Sequence, residues 1–138
     1  MIYSGDPGTI SIDVLTGDTV ICVAPTATLR DVAGVLIADG ISAVVVGSQH
    51  SPIGIVSEHD IVRAVADDAD PHTTTAAEIA HTELFWSDGT ATVKEVAAEM
   101  MEHYVRHILV ENGGRLIGIV SARDLLGVYA IGDEPDDG

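Results

Sequence analysis

The chain has 138 residues, of which 22 are Asp or Glu and only 6 are Lys or Arg, giving a formal net charge of −16. A charge of this sign repels nucleic-acid phosphate and anionic lipid, so neither is expected as a direct partner without a local basic patch. No apolar run reaches the roughly 18 residues of a membrane span, and the first residues lack a signal-peptide pattern. We therefore expect a soluble cytoplasmic protein.

The composition leaves the origin of the acidity open. A single Lys among so many carboxylates suits a salt-rich cytoplasm, where ions screen self-repulsion, and an ordinary acidic protein is the alternative. Cys22 is the only cysteine and lies in an apolar run, which favours a buried small hydrophobe over a disulfide partner or a catalytic thiol.

One nine-residue stretch occurs twice. Gly-Ile-Val-Ser-Glu-His-Asp-Ile-Val at residues 54–62 returns as Gly-Ile-Val-Ser-Ala-Arg-Asp-Leu-Leu at residues 118–126, about 64 residues later. In each copy a β-branched run ends at a Ser and a helical pattern follows. The chain therefore reads as two copies of one unit.

The elements of the first copy follow from its periodicity. An apolar stripe at helical spacing precedes two short β-branched runs and the repeated stretch. In chain order we predict a short helical turn at residues 12–15, strand Thr19–Val23, helix Leu29–Asp39, strands Ala43–Val46 and Ile53–Ser57, and helix Glu58–Ala66.

The second copy repeats this order. We predict a helical turn at residues 77–80, strand Leu84–Trp86, helix Val93–His103, strands His107–Val110 and Leu116–Ser121, and helix Ala122–Ala130. The predicted division is an N-terminal segment with the first unit at residues 1–66, a linker at 67–75, the second unit at 76–131 and a disordered acidic tail at 132–138. The fold class is α+β.

The Ser-x-x-Asp at each strand-to-helix junction has two interpretations. The first amides of a helix have no internal partners and its dipole favours an anion, so each junction is a candidate ligand site. The same spacing is a variant of the capping box, which explains both residues without any ligand.

Two units in register, each closing on Gly-Ile-Val-Ser-x-x-Asp, resemble a tandem pair of CBS domains, the modules named after cystathionine β-synthase. The resemblance covers about residues 10 to 130. It implies two pseudo-twofold units, each a small mixed three-stranded sheet with two helices, packed sheet to sheet. It also implies two clefts between the repeats that bind adenosyl ligands such as AMP, ADP, ATP or S-adenosylmethionine, with no required cofactor and no catalytic chemistry.

The resemblance assigns roles to particular residues. The family's Ser/Thr corresponds to Ser57 and Ser121, which would meet a phosphate, and its Asp corresponds to Asp60 and Asp124, which would accept both ribose hydroxyls. Adenine would lie against the strand entrances, formed by Ile41 and Ala43 in one copy and by Val105 and His107 in the other.

The two candidate sites differ in charge. Glu58 and Asp60 flank the first site and would repel a polyphosphate, whereas Arg123 lies inside the second motif and Arg106 precedes its central strand. We expect the Asp124 site to bind an anion better, through Arg123 and Arg106. An ion pair of Arg106 with Glu99 or Glu102 is the alternative.

Other constellations carry less chemistry. Ser57, His59 and Asp60 include the residue types of a hydrolytic triad, but neighbours at one helix start cannot converge on a reacting atom. No metal site is predicted, although four histidines could meet in space; Phe85-Trp86 is assigned to core or dimer surface rather than a stacking platform. The four histidines are His72, His81, His103 and His107.

The resulting expectation is a non-catalytic regulatory module that binds an adenosyl small molecule, forms a homodimer and acts through a separate effector protein. The alternative is a structural dimer or interaction adaptor with empty clefts.

Overall fold

The computed structural model describes residues 6–16 and 20–133, with side chains as far as residue 130. The described residues form five helices and two three-stranded sheets, ordered β1-β2-β3 and β4-β5-β6. The strands are β1 Cys22–Val23, β2 Ala43–Gly47, β3 Pro52–Ser57, β4 Trp86–Asp88, β5 His107–Asn112 and β6 Arg115–Ser121; the helices are α1 Leu29–Asp39, α2 Glu58–Ala66, α3 Ala76–Ile79, α4 Val93–His103 and α5 Ala122–Asp133.

Both sheets have the same topology. The first strand of each sheet pairs in parallel with the second, and the second pairs antiparallel with the third. The helix between the first two strands buries an apolar stripe: Leu29, Val32 and Leu36 in α1, and Val93, Val96 and Met100 in α4. The α+β class and the mixed three-stranded sheets with helices are therefore confirmed.

The compact units do not follow the sequence repeats. The first compact unit is Thr19–Leu84, and the second combines Met1–Asp18 with Phe85–Gly138. Ala76 of α3 lies in the core of the first unit, whereas Ile12, from a 3₁₀ turn at Ile12–Leu15, is fully buried in the core of the second. The segment ahead of each repeat thus packs in the core formed by the other repeat.

The segments ahead of the repeats also provide hydrogen-bond acceptors to the first amides of α1 and α4. The amide of Leu29 donates to the carbonyl of Thr74, and the amide of Val93 donates to the carbonyl of Ile10. The predicted linker at residues 67–75 therefore supplies backbone acceptors to α1, because the first amides of a helix have no acceptor within it.

Most predicted elements are confirmed, with small differences at the strands. The predicted strand Leu84–Trp86 is wrong by two residues, since β4 is Trp86–Asp88. The bounds of β4 are set by its parallel pairing with β5, which begins at the last of the apolar residues on which the prediction depends. The first predicted strand, Thr19–Val23, is too long: Val20 and Ile21 lie outside β1, and Thr19 lies outside the described residues. Residues 134–138 of the predicted tail are also outside the described residues, and α5 continues to Asp133, beyond the predicted Ala130.

Along residues 6–16 and 20–133, no helix combines the length and apolar character that a bilayer crossing demands.

Candidate ligand-binding site

The repeated Ser-x-x-Asp forms a capping box in both units. In the first, Ser57 Oγ accepts from the amide of Asp60, whose Oδ2 accepts from the amide of Ser57 at 2.8 Å. In the second, Ser121 Oγ accepts from the amide of Asp124 at 3.0 Å, and Asp124 Oδ2 accepts from the amide of Ser121 at 2.8 Å. The capping interpretation is confirmed, so ligand binding depends on the atoms that the caps leave available.

The two aspartates differ in what remains available. Asp60 is buried, with 3% of its side chain exposed, and its Oδ1 lies 2.6 Å from His81 Nε2 and 3.9 Å from a guanidinium nitrogen of Arg63. Of the two aspartates, Asp124 is the exposed one, and its Oδ1 is without a partner among the described residues.

The serine hydroxyls differ in the same direction. Ser57 Oγ also donates to Asp60 Oδ2 at 2.9 Å, so its proton is engaged within the cap. Ser121 Oγ accepts from the amide of Asp124, and within the described part of the chain its proton has no acceptor. The hydroxyl of Ser121 can therefore donate to an oxygen of a ligand although it is largely buried.

The helix starts offer fewer free amides than the motif suggests. The first amide of α2, from Glu58, donates to the carbonyl of Ser42, and the first amide of α5, from Ala122, donates to the carbonyl of Arg106. The capping serines take the third amides. In α5 this leaves the amide of Arg123 for an anion, beside that residue's exposed guanidinium.

Strand pairing brings the predicted strand entrances next to these caps. Ala43 lies opposite Ser57 across β2 and β3, and His107 lies opposite Ser121 across β5 and β6. Residues directly opposite in an antiparallel pair have Cβ atoms about 5 Å apart. Ala43 is buried, whereas Ile41, Val105 and His107 are half-buried. Each unit therefore assembles its own predicted residues at one edge of its sheet.

Two exposed arginines lie at the junction of the second unit, Arg106 before β5 and Arg123 in the first turn of α5. Arg106 and Arg123 are both exposed, and neither forms an ion pair with any described residue. The alternative pairing of Arg106 with Glu99 or Glu102, all three of them described residues, is thus absent from the structure. Both guanidinium groups are available to a phosphate or carboxylate.

The competing constellations gain no geometric support. His59 is exposed, and Asp60 bonds instead to His81. No group of three or more His, Cys, Asp or Glu suited to a metal occurs among the described residues. Phe85 is half-buried against the second unit's core and stacks on the His103 ring with centroids 4.4 Å apart, while Trp86 is 39% exposed.

Cys22 is half-buried rather than buried as predicted, and burial raises the pKa of its thiol. A raised pKa favours the unreactive thiol at neutral pH. Hydrogen bonds from Thr28 lower the pKa of Asp31, and those from Thr90 lower the pKa of Asp88; both carboxylates cap local turns away from the candidate site.

Sequence reasoning missed the contact between His81 and Asp60. The two residues are 21 positions apart, and the sequence suggests His81 only as one of four possible metal ligands. In the structure, the segment ahead of each copy approaches the glycine of the motif in the other copy. Gly54 lies against Ala80, and Gly118 lies against Thr16.

Comparison with known proteins identifies the repeat. The model of the CBS domain matches the chain twice, at residues 12–67 and 76–131. Hypoxic response protein 1 of Mycobacterium tuberculosis is 33% identical over 108 residues, which cover 77% of this chain and 76% of that protein.

Two solved structures share the fold. A CBS-domain containing protein from Agrobacterium tumefaciens is 28% identical with a TM-score of 0.76, over 86% of this chain and 98% of that one. A CBS domain protein from Pyrobaculum aerophilum, complexed with AMP, is 31% identical with a TM-score of 0.73, over 88% and 99% of the two chains. With both repeats matched and the sheets and helices in common, the chain belongs to the CBS-domain family.

Proposed function

We propose that this CBS pair is a regulatory module that binds an adenosyl ligand at the Asp124 junction. CBS-pair proteins are typically non-catalytic, and the solved relative from Pyrobaculum aerophilum is complexed with AMP. The observation that carries the proposal is the exposed carboxylate of Asp124, whose Oδ1 has no partner among the described residues, beside two unpaired arginines. Through a partner protein, occupancy of this site would report the level of the ligand.

The proposed contacts follow from the available atoms. The ribose hydroxyls would donate to Asp124, and the phosphate would accept from the hydroxyl of Ser121 and from the amide and guanidinium of Arg123. Arg106 would add a second cation, and adenine would lie against Val105 and His107. Each contact uses one unit's residues at the end of β6 and the entrance of β5.

Thermal unfolding in the presence of AMP, ADP, ATP and S-adenosylmethionine tests the proposal. A ligand at 100 times its dissociation constant adds about 2.7 kcal/mol to the free energy of unfolding, so a true ligand raises Tm measurably. We expect Asp124→Ala to abolish the rise. Asp31→Ala is the matched control, because Asp31 forms the same kind of capping box at α1 with Thr28. No rise with any ligand at millimolar concentration would reject the proposal.

A ligand-free dimerisation module is the second candidate, favoured by exposed apolar side chains at equivalent positions of the repeats. Ile37 is 83% exposed in α1 and Met101 is 79% exposed in α4. Val62 and Leu126, on the second helices, are 64% and 69% exposed. Sedimentation of the wild type and of Met101→Glu distinguishes the two candidate functions. The dimerisation module requires that the wild type is a dimer, that Met101→Glu is a monomer, and that no adenosyl ligand raises Tm.

A further inference from the structure

The side chain of His81 contacts the carboxylate oxygen of Asp60 that the cap with Ser57 leaves available. His81 Nε2 lies 2.6 Å from Asp60 Oδ1, and an ionised carboxylate only accepts, so this nitrogen is the donor. Asp60 Oδ2 already accepts from both the amide and the hydroxyl of Ser57. Three of the carboxylate's roughly four lone-pair positions are therefore used within the protein.

The backbone holds His81 at this place. Its amide donates to the carbonyl of Ile55 at 2.9 Å, and its carbonyl accepts from the amide of Ile55 at 3.0 Å. The chain passes so close to β3 that a Cβ on Gly54 would lie 2.9 Å from Ala80 Cβ and 3.0 Å from His81 O. Because the amide and the carbonyl of His81 both pair with Ile55, the backbone position of His81 is fixed relative to β3. From this position the imidazole contacts Asp60, while 59% of the His81 side chain stays exposed.

The other copy carries a glycine at the sequence position that corresponds to His81. Gly118 occupies the position of Gly54, and Thr16 occupies that of Ala80, since a Cβ on Gly118 would lie 2.8 Å from Thr16 Cβ. The residue after Thr16 is Gly17, which is the sequence counterpart of His81 and has no imidazole. Among the described residues, Asp124 accordingly has one of its roughly four lone-pair positions in use, by the amide of Ser121.

We propose that His81 closes the Asp60 site to ribose, so that each chain binds one adenosyl ligand, at Asp124, and that removing the imidazole opens a second site. The inference rests on the proposed function for binding at Asp124, and it adds that His81 limits the number of ligand sites to one per chain. A ribose diol needs two acceptor positions, and the closed Asp60 offers one, on a side chain that is 3% exposed.

Isothermal titration calorimetry with AMP tests this proposal through stoichiometry. We expect one AMP per chain for the wild type and two for His81→Ala. His81→Gln should remain at one, because its amide nitrogen reaches about as far as Nε2 and still donates to Asp60. His50→Ala, at an exposed histidine in the loop between β2 and β3, is the matched control and should also bind one.

Double substitution assigns the new site. His81→Ala with Asp124→Ala should bind one AMP, and adding Asp60→Ala should remove it. Two AMP molecules per wild-type chain, or a folded His81→Ala that still binds one, overturns the closure. If the wild type binds none and His81→Ala binds one, closure stands while the Asp124 proposal fails; if neither binds AMP, both proposals are rejected.

Discussion

Two aspartates at equivalent positions of the repeat have unequal structural roles. Asp60 is buried and ties together the end of β3, the start of α2 and the segment that contains His81. Asp124 is exposed, and the hydrogen bonds it forms with described residues are those of the cap with Ser121. The same motif residue thus contributes mainly to stability in one unit and is available for binding in the other.

We predict that Asp60→Ala destabilises the protein more than Asp124→Ala. Removing the buried carboxylate of Asp60 leaves three donors without their acceptor: the hydroxyl and the amide of half-buried Ser57, and Nε2 of His81. Each lost hydrogen bond costs about 0.5–1.5 kcal/mol. Loss of the exposed cap at Asp124 should cost about 1 kcal/mol or less. Urea unfolding of both variants measures the difference, and equal losses of stability would contradict this assignment.

Much of the second site could be predicted from sequence, because its residues are close along the chain. Ser121, Arg123 and Asp124 share one helix start, and His107 is brought opposite Ser121 by a short hairpin. The contact between His81 and Asp60 could not be predicted, because it depends on His81, which the predicted boundaries assign to the second unit, pairing with Ile55 of β3 in the first. The availability of an oxygen atom depends on such tertiary contacts and not on the motif.

At the scale of whole elements, the repeated glycine of the motif has a packing role. Gly54 lies against Ala80 and His81, and Gly118 lies against Thr16, each at a distance that leaves no room for a Cβ. A bare backbone on the third strand of each sheet therefore allows the segment ahead of the other repeat to approach. The exchange of these segments between repeats requires glycine at both places.

We predict that Gly118→Ala destabilises the fold and that Gly34→Ala stabilises it. The new Cβ at position 118 would lie 2.8 Å from Thr16 Cβ, and overpacking of this kind costs about 1–3 kcal/mol. Gly34 lies within α1 with nothing within 4 Å of its added Cβ, so alanine should gain about 0.5–1 kcal/mol through helix propensity. Thermal unfolding reports both signs, and a neutral Gly118→Ala would refute the close-packing role.

The helices were easier to predict than the strands. The helices Leu29–Asp39 and Val93–His103 have the bounds that the sequence predicts, since a threonine cap and an apolar stripe mark each one locally. β4 shares no such signal: its middle residue, Ser87, is buried, and its outer residues, Trp86 and Asp88, are exposed. Its bounds depend on parallel pairing with a strand about 20 residues later, which hydrophobicity does not encode.

At the scale of the whole molecule, repulsion between carboxylates opposes the compact state. The net charge of −16 arises from 22 acidic residues, while ion pairs among the described residues involve only Asp60. Like charges that are not paired raise the free energy of the compact state. The Debye length falls from about 10 Å at 0.1 M salt to about 3 Å at 1 M, so added salt should relieve most of this repulsion.

We predict that Tm rises as KCl increases from about 0.05 to about 1 M, a range in which the Debye length falls several-fold. The matched variant is Asp67→Asn with Asp68→Asn, two exposed residues after α2, where carboxylates also oppose the helix dipole. Asparagine tolerates the left-handed backbone of Asp68, whose φ is 61°, so the substitution removes charge without new strain. The variant should exceed the wild type in Tm at low salt, and the two curves should converge as KCl screens the carboxylates. A wild-type Tm that falls with KCl, or a difference that persists at the highest salt concentration, would show that self-repulsion does not limit the stability of this chain.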